Sequence, residues 1–278
     1  MVNPSALHGM TTGFLHPGAM GASLASTCRG VRLWCGESRS EATRARAVEA
    51  GMEDVGSLAV LVKRADVIIS VCPPGAAREV ASRVAAFGFT GIYVDVNAIS
   101  PATTRSIGGQ FARFVDGGVV GPPVQSPGTT RLYLSGNDAA HVAELWSGTP
   151  LETRVVEGGA GAASAVKICF AAWTKTTAAL LLTIRALAHA ENVEDALLAE
   201  WATSMPGLAE QSERAATSNA PKAWRFAGEL AEIAESFSAH GLPDGFGTAA
   251  AEVYHRLAGF KDTTGTSLDD VVQALAHS

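Results

Sequence analysis

The chain has 278 residues, 47% of them hydrophobic, 17% charged and 6% aromatic, with a formal net charge of −6. That length and apolar content suit one or two globular domains with a sizeable core. An acidic chain without a basic run excludes nucleic acid and anionic membrane surfaces as natural partners. Met1 to Met10 lack the basic and then apolar pattern of a secretory signal. No uninterrupted apolar run reaches the ~18 residues of a membrane span. The four cysteines, Cys28, Cys35, Cys72 and Cys169, show no C-x-x-C spacing. Reduced thiols in a cytoplasmic protein are therefore expected, with no metal site and no disulfide framework.

In chain order, the first signal is a short apolar run, Thr12–Leu15, followed by His16-Pro17-Gly18-Ala19-Met20-Gly21 and a helical pattern over Ala22–Arg29. A strand, a glycine turn and a helix make the opening of a dinucleotide-binding βαβ unit, whose pyrophosphate rests on backbone N–H groups at the helix N-terminus. The G-x-G-x-x-G fingerprint is imperfect, because His16 stands at its first position. Further strands are predicted at Val31–Cys35, Val67–Val71, Ile92–Val96, Phe111–Asp116 and Leu132–Leu134. Helical patterns such as Glu41–Ala50, Ala76–Ala86 and Ala139–Trp146 lie between and after them. This alternation is that of a parallel α/β sheet.

Ligands of such sheets bind outside the carboxyl ends of the strands. After the second strand come Glu37-Ser38-Arg39-Ser40. A guanidinium between two hydroxyls suits the 2′-phosphate of NADP, while an acidic side chain suits the ribose 2′-OH of NAD. NADP is favoured, and NAD stays open because of Glu37. After the third come Cys72-Pro73-Pro74, a rigid loop. After the fourth comes Asn97, a neutral amide able to donate and accept, then Ser100-Pro101 in the pattern of a helix N-cap and first-turn proline. The fifth runs into Gly117-Gly118-Val119-Val120-Gly121-Pro122-Pro123, read as a loop.

Beyond Glu157 the strand signals stop. One helical pattern covers Ala162–Ala190, roughly 43 Å long at 1.5 Å per residue. It is apolar on nearly all sides, so burial in a bundle or against a second subunit is expected, and with it a homodimer. Helical patterns follow at Val193–Thr203, Leu208–Ser218, Ala223–His240, Gly247–Gly259 and Ser267–Ala276. The fold class is thus α/β: a Rossmann domain over residues 1–157 and an all-α domain for substrate and dimerisation over 158–278. Lys167 stands out on the long helix, a charge on an apolar face shared with Ala171, Thr174, Lys175 and Ala178. Desolvation there would lower its pKa toward the range useful for proton transfer.

Taken together, these motifs resemble the β-hydroxyacid dehydrogenase superfamily, which includes 6-phosphogluconate dehydrogenase and 3-hydroxyisobutyrate dehydrogenase. Gly13-Phe-Leu-His-Pro-Gly-Ala-Met-Gly21 is similar to G-F-I-G-L-G-x-M-G, and Ser38-Arg39-Ser40 to the N-R-T cofactor loop. Asp95-Val96-Asn97-Ala98-Ile99-Ser100-Pro101 is similar to D-x-S-T-x-x-P, and Asp116–Gly121 to D-A-P-V-S-G. Gly158-Gly159-Ala160-Gly161 and Lys167 resemble the stretch leading to the family's catalytic lysine. His16-Pro17, Ala172-Trp173-Thr174-Lys175 and Gly241-Leu242-Pro243-Asp244-Gly245-Phe246 look like a little-characterised branch with a C-terminal domain of unknown function. The resemblance implies an NAD(P)-dependent oxidoreductase acting on a small hydroxy or keto substrate, with Lys167 catalytic. The cofactor would lie on His16, Pro17, Gly18, Ala19, Met20, Ser38, Arg39, Ser40, Cys72, Pro73, Pro74 and Asn97. The substrate would meet Asn97, Val120, Gly121, Pro122, Thr174, Trp224 and Arg225. The family's serines are Asn97 and Val120 here, and the asparagine after the lysine is Ala171. These changes leave two alternatives open: an imine reductase-like enzyme, or a non-catalytic NADP-binding dimer.

Overall fold

In the computed structural model, which describes residues 9–276, the chain divides into two units, Met1–Ile168 and Cys169–Ser278. The first opens with β1 (Thr11–Leu15), α1 (Ala19–Thr27), β2 (Val31–Trp34), α2 (Glu41–Glu49), β3 (Glu53–Asp54), α3 (Leu58–Arg64) and β4 (Val67–Ser70). There follow α4 (Ala77–Ala86), β5 (Ile92–Asp95), α5 (Pro101–Gly108), β6 (Phe114–Val120), β7 (Arg131–Ser135), α6 (Ala139–Ala143) and β8 (Glu152–Val155). They form one sheet in the order β3-β2-β1-β4-β5-β6-β7-β8. β1 to β6 are parallel in the doubly wound order, β7 runs antiparallel to β6, and β8 is parallel to β7. The order reverses between β1 and β4, which places the glycine turn at the switch point.

β4 and β5 are buried at every residue, as expected of central parallel strands covered on both faces. Val67, Ile69, Ile92 and Val94 point into one apolar layer with Phe14, Trp34 and Trp146. Ile68 and Tyr93 point into the other with Leu61, Val80 and Phe111. Ser40, Ser57 and Ser100 cap α2, α3 and α5 by accepting from the N–H of Thr43, Val60 and Thr103.

Three features depart from the sequence reading. β3, α3 and β8 were not anticipated: β3 is two residues long, and Val155 of β8 is exposed. β6 starts at Phe114 rather than Phe111 and continues through the glycines to Val120. The reason is close packing. A Cβ on Gly117 would lie 3.1 Å from the Asp95 carbonyl oxygen, and one on Gly118 would lie 2.8 Å from the Ala163 carbonyl oxygen. Gly-Gly here marks strand pressed by its neighbours, not loop. Residues 158–168 belong to the first unit, eleven residues past the expected boundary. They are tied to β6 and β7 through Asp116 and Ser135.

The long helix α7 (Ala162–Ala190) starts in the first unit and continues in the second. The second unit adds α8 (Glu194–Ser204), α9 (Leu208–Asn219), α10 (Ala223–Ser238), α11 (Gly245–Arg256) and α12 (Leu268–Ala276). Gly247 of α11 meets α10 closely, since a Cβ there would sit 3.1 Å from that of Ala234. By length and composition α7 could cross a membrane, with a mean hydropathy of 1.3 over 18 residues. The count of uninterrupted apolar residues did not show this. Within the second unit the helix is clamped by charge: Lys175 pairs with Glu229 of α10 at 2.9 Å, and Arg185 pairs with Glu194 of α8 and donates to Ser212 of α9. Phe170, Trp173, Leu180 and Leu187 of the helix are exposed in the single chain.

Candidate active site

The turn after β1 explains the odd fingerprint. His16 has φ +60, the left-handed region that the first glycine of such a turn ordinarily supplies. Holding a side chain there costs about 1–2 kcal/mol, though histidine is among the residues that tolerate it. The Gly18 N–H donates to the His16 carbonyl at 2.7 Å. A Cβ at Gly21 would press that same carbonyl at 2.9 Å, whereas one at Gly18 would meet nothing. Gly21 is therefore required by the protein's own packing, whereas Gly18 borders open space. No side chain caps the N-terminus of α1, so its first N–H groups keep their donors for an anion. Burial pushes the His16 imidazole down to about 4, with Arg39 and Arg83 adding to the shift. The ring is neutral at physiological pH, and its buried Nδ1 has no partner.

The loop after β2 is braced from β3, a support the sequence did not reveal. Asp54 accepts from the N–H of Gly36 and of Gly56, both at 2.9 Å, and Arg44 binds the Gly36 carbonyl. Ser38, at φ +58, is a second residue in the left-handed region. Ser38, Arg39, Glu37 and His16 line one cavity with Arg83 of α4 over an apolar floor. A second cavity is lined by His16, Gly18, Met20, Arg39, Cys72 and Pro73. The two share His16 and Arg39, so most of the expected cofactor residues meet along one groove. Ser40 instead caps α2. The Pro17 carbonyl accepts from Arg46, Ala19 opens α1, and Pro74 starts a short 3-10 turn.

Asn97 faces inward, against the expectation of a ligand-facing amide. It is 3% exposed; its Oδ1 accepts from the Cys72 N–H at 2.6 Å, and its Nδ2 donates to Ser70 and Asp95 at 3.2 and 3.0 Å. It ties the ends of β4 and β5 together and fixes the Cys72-Pro73-Pro74 loop. Burial raises the Asp95 carboxyl to about 7, against hydrogen bonds from Asn97 that lower it.

Lys167 is placed by the first turns of α7. Asp116, buried in the middle of β6, receives the Gly161 and Ser164 N–H groups at 2.9 Å each, the Ser164 hydroxyl at 2.6 Å and the Ser135 hydroxyl at 3.2 Å. A carboxylate at a helix N-terminus satisfies its orphan donors and its dipole. Gly118 then allows contact: the Lys167 Cβ lies 3.0 Å from where a Cβ of Gly118 would be. The Lys167 Nζ donates to the Val119 carbonyl at 2.6 Å, which holds the ammonium at the carboxyl end of β6. Val120 is buried, while Gly121, at φ +120, and Pro122 are exposed where the chain leaves the strand. β6 is parallel to β1, so this end faces the same side of the sheet as the His16 turn.

Thr174, Trp224 and Arg225 lie in the second unit. The Thr174 hydroxyl donates back to the Phe170 carbonyl. Trp224 is half exposed under the Lys261 ammonium, and Arg225 stacks over Phe226. Glu229 pairs with Lys175. No group of side chains suited to a metal occurs among the described residues.

A domain of unknown function, DUF1932, matches residues 188–257. An uncharacterised 28.5 kDa protein of Methanothermus fervidus is 32% identical over 167 residues, 59% of this chain, and the match spans 64% of that relative's length. A solved conserved protein of unknown function, described as structurally similar to 3-hydroxyacid dehydrogenases, is 28% identical with a TM-score of 0.71, over 90% of this chain and 98% of its own. The 3-hydroxyisobutyrate dehydrogenase of Mycobacterium tuberculosis shares the fold at 18% identity, with a TM-score of 0.73 over 96% and 99%. A reductive aminase of Aspergillus terreus, solved with NADPH, shares it at 15% and 0.56 over 96% and 99%. With its Rossmann sheet and its helical second unit the chain has the fold of these 3-hydroxyacid dehydrogenase-like structures, and residues 188–257 carry the DUF1932 match.

Proposed function

We propose that this protein is an NADP-dependent oxidoreductase that moves a hydride between the nicotinamide and the carbonyl or carbinol carbon of a small substrate. The observation that carries the reading is the pairing of two features on one end of one sheet. One is an uncapped, glycine-opened helix N-terminus with buried polar atoms, His16 Nδ1 and Arg39 Nε, that have no partner; the other is a lysine ammonium fixed at the end of β6. The residues fit a dinucleotide: open space at Gly18 for the pyrophosphate, and hydroxyl and guanidinium groups in the loop after β2 for the ribose end. The cofactor supplies the hydride. Lys167 supplies or removes the proton at the substrate oxygen and stabilises the charge that develops on it. The Val119 carbonyl orients the ammonium without neutralising it. The dehydrogenase and reductase folds found among similar structures support the class. Retention of Lys167 favours a carbonyl substrate over an imine, because an oxyanion in formation needs a proton donor at that position.

The test is titration with NADPH and NADH, followed by ketone, 3-hydroxy acid and cyclic imine panels monitored by nicotinamide absorbance. Saturable NADPH binding with turnover of carbonyl or carbinol compounds is the expected result. Turnover of imines alone would replace the substrate class, and tight binding without any turnover would leave a non-catalytic dimer.

The dimer is proposed on the second unit's exposed apolar face. Trp173, Leu180 and Leu187 recur every seven residues along α7, and Trp173 and Leu180 border a groove completed by Pro243 and Phe246. Such a stripe on a soluble protein calls for a covering surface. A second copy is expected to cover it, so Leu180→Glu should shift sedimentation from dimer toward monomer at micromolar concentration.

A further inference from the structure

Arg39 does not stand alone in its cavity. Arg83 of α4 lines the same space, together with Ser38 and the exposed Glu37. Leu15, Leu58 and Val80 form the apolar part of the lining. Among the described residues neither guanidinium has a hydrogen-bonding or ionic partner, and the Arg39 Nε is buried without one. Other arginines of this unit are committed: Arg44 to Asp54, Arg64 to Glu53, Arg113 to Asp138 and Arg154 to Glu152. Two unpaired cations converging on one cavity repel each other, and their joint field reaches the His16 ring. An arrangement of that kind gains from a doubly charged anion held between the arms, because each guanidinium presents a planar fork to phosphate oxygens. The apolar lining beside it suits a flat heterocycle. The chemistry recognised is therefore a purine nucleoside with a phosphomonoester on its ribose.

We infer that Arg83 is the second arm of a 2′-phosphate site and, with Arg39, decides the preference for NADP over NAD. This rests on the nicotinamide-cofactor reading above and goes beyond it by naming the discriminating residue. Glu37 supplies the opposing bias, since a carboxylate in the lining favours a free ribose hydroxyl. Two arginines outweigh one exposed carboxylate on a dianionic ligand.

The probes are 2′,5′-ADP and 5′-ADP, which carry or lack the 2′-phosphate and need no chemistry at the nicotinamide end, together with NADPH and NADH. Calorimetric titration of the whole chain should give at least tenfold tighter binding of 2′,5′-ADP than of 5′-ADP. Arg83→Gln should weaken 2′,5′-ADP and NADPH by about 10- to 100-fold, the usual scale for one charge-assisted hydrogen-bond partner. It should leave 5′-ADP and NADH within about twofold. Arg83→Lys should restore part of the loss, and an unchanged melting temperature should accompany both variants, since the side chain is exposed. Equal losses for phosphorylated and unphosphorylated ligands would reduce Arg83 to a general support. A wild type that binds NADH as well as NADPH would overturn this inference and leave the oxidoreductase reading standing. A wild type that binds none of the four would overturn both.

Discussion

Replacing Lys167 with alanine is expected to lower turnover by about 10²- to 10⁴-fold, the range a positioned general acid or base contributes. The dissociation constant for NADPH should stay within about twofold. The split follows from the geometry. The ammonium is anchored at the end of β6 by the Val119 carbonyl, whereas the residues of the glycine turn and of the loop after β2 line the proposed cofactor groove without it. Lys167→Arg keeps charge and donors but replaces a compact ammonium by a planar fork, so only a small part of the activity should return. Single-turnover kinetics on whichever panel compound reacts, with NADPH titrated in parallel, separate the two effects. Unchanged turnover in the alanine variant would remove Lys167 from the chemistry. A parallel loss of NADPH affinity would assign it to the cofactor instead.

Asp116→Ala is expected to destabilise the first unit by about 2–5 kcal/mol. The carboxylate is fully enclosed and receives four hydrogen bonds. Its loss orphans two buried backbone N–H groups at the start of α7, and each such donor costs about 1–3 kcal/mol. The two hydroxyls can turn to other acceptors and cost less. For a domain of this size that corresponds to a fall in melting temperature of roughly 5–15 °C. Burial raises the Asp116 carboxyl above the ordinary carboxylate range, while hydrogen bonds from Ser164, Ser135 and Gly161 pull it back. Asp116→Asn retains an acceptor and should cost less than alanine. The same variant should lower turnover through Lys167, which stands one turn beyond Ser164 on the helix that Asp116 anchors. Thermal melts and urea titrations measure the first effect. A loss below about 1 kcal/mol would show that the start of α7 is held by other contacts.

Period and punctuation made much of the fold legible. The apolar runs at β4 and β5 are short and continuous, as strands buried on both faces must be, and Ser100-Pro101 announces α5 by the chemistry of its first turn. α7 was readable to the residue because Gly161 precedes it and the helical pattern runs unbroken to Ala190. β3 and β8 were not readable, since two residues carry no period and a half-exposed strand carries little apolar pattern.

For the site, residue order alone shows the chemistry available: a glycine turn at a strand end, a hydroxyl–guanidinium loop after the next strand, and one lysine early on a long apolar helix. These are local patterns, and local patterns fix which groups are present and on which element. Which of them meet depends on how the elements pack in three dimensions. That packing turned Asn97 inward to brace two strand ends, since a buried amide must bond whatever lies beside it. It brought Arg83 from α4 to the cavity of Arg39, 44 positions away in the chain. It gave His16 the left-handed backbone that a glycine would have announced. It made Gly117 and Gly118 into strand because Asp95 and α7 press against them, a constraint exerted by atoms that sequence spacing does not place.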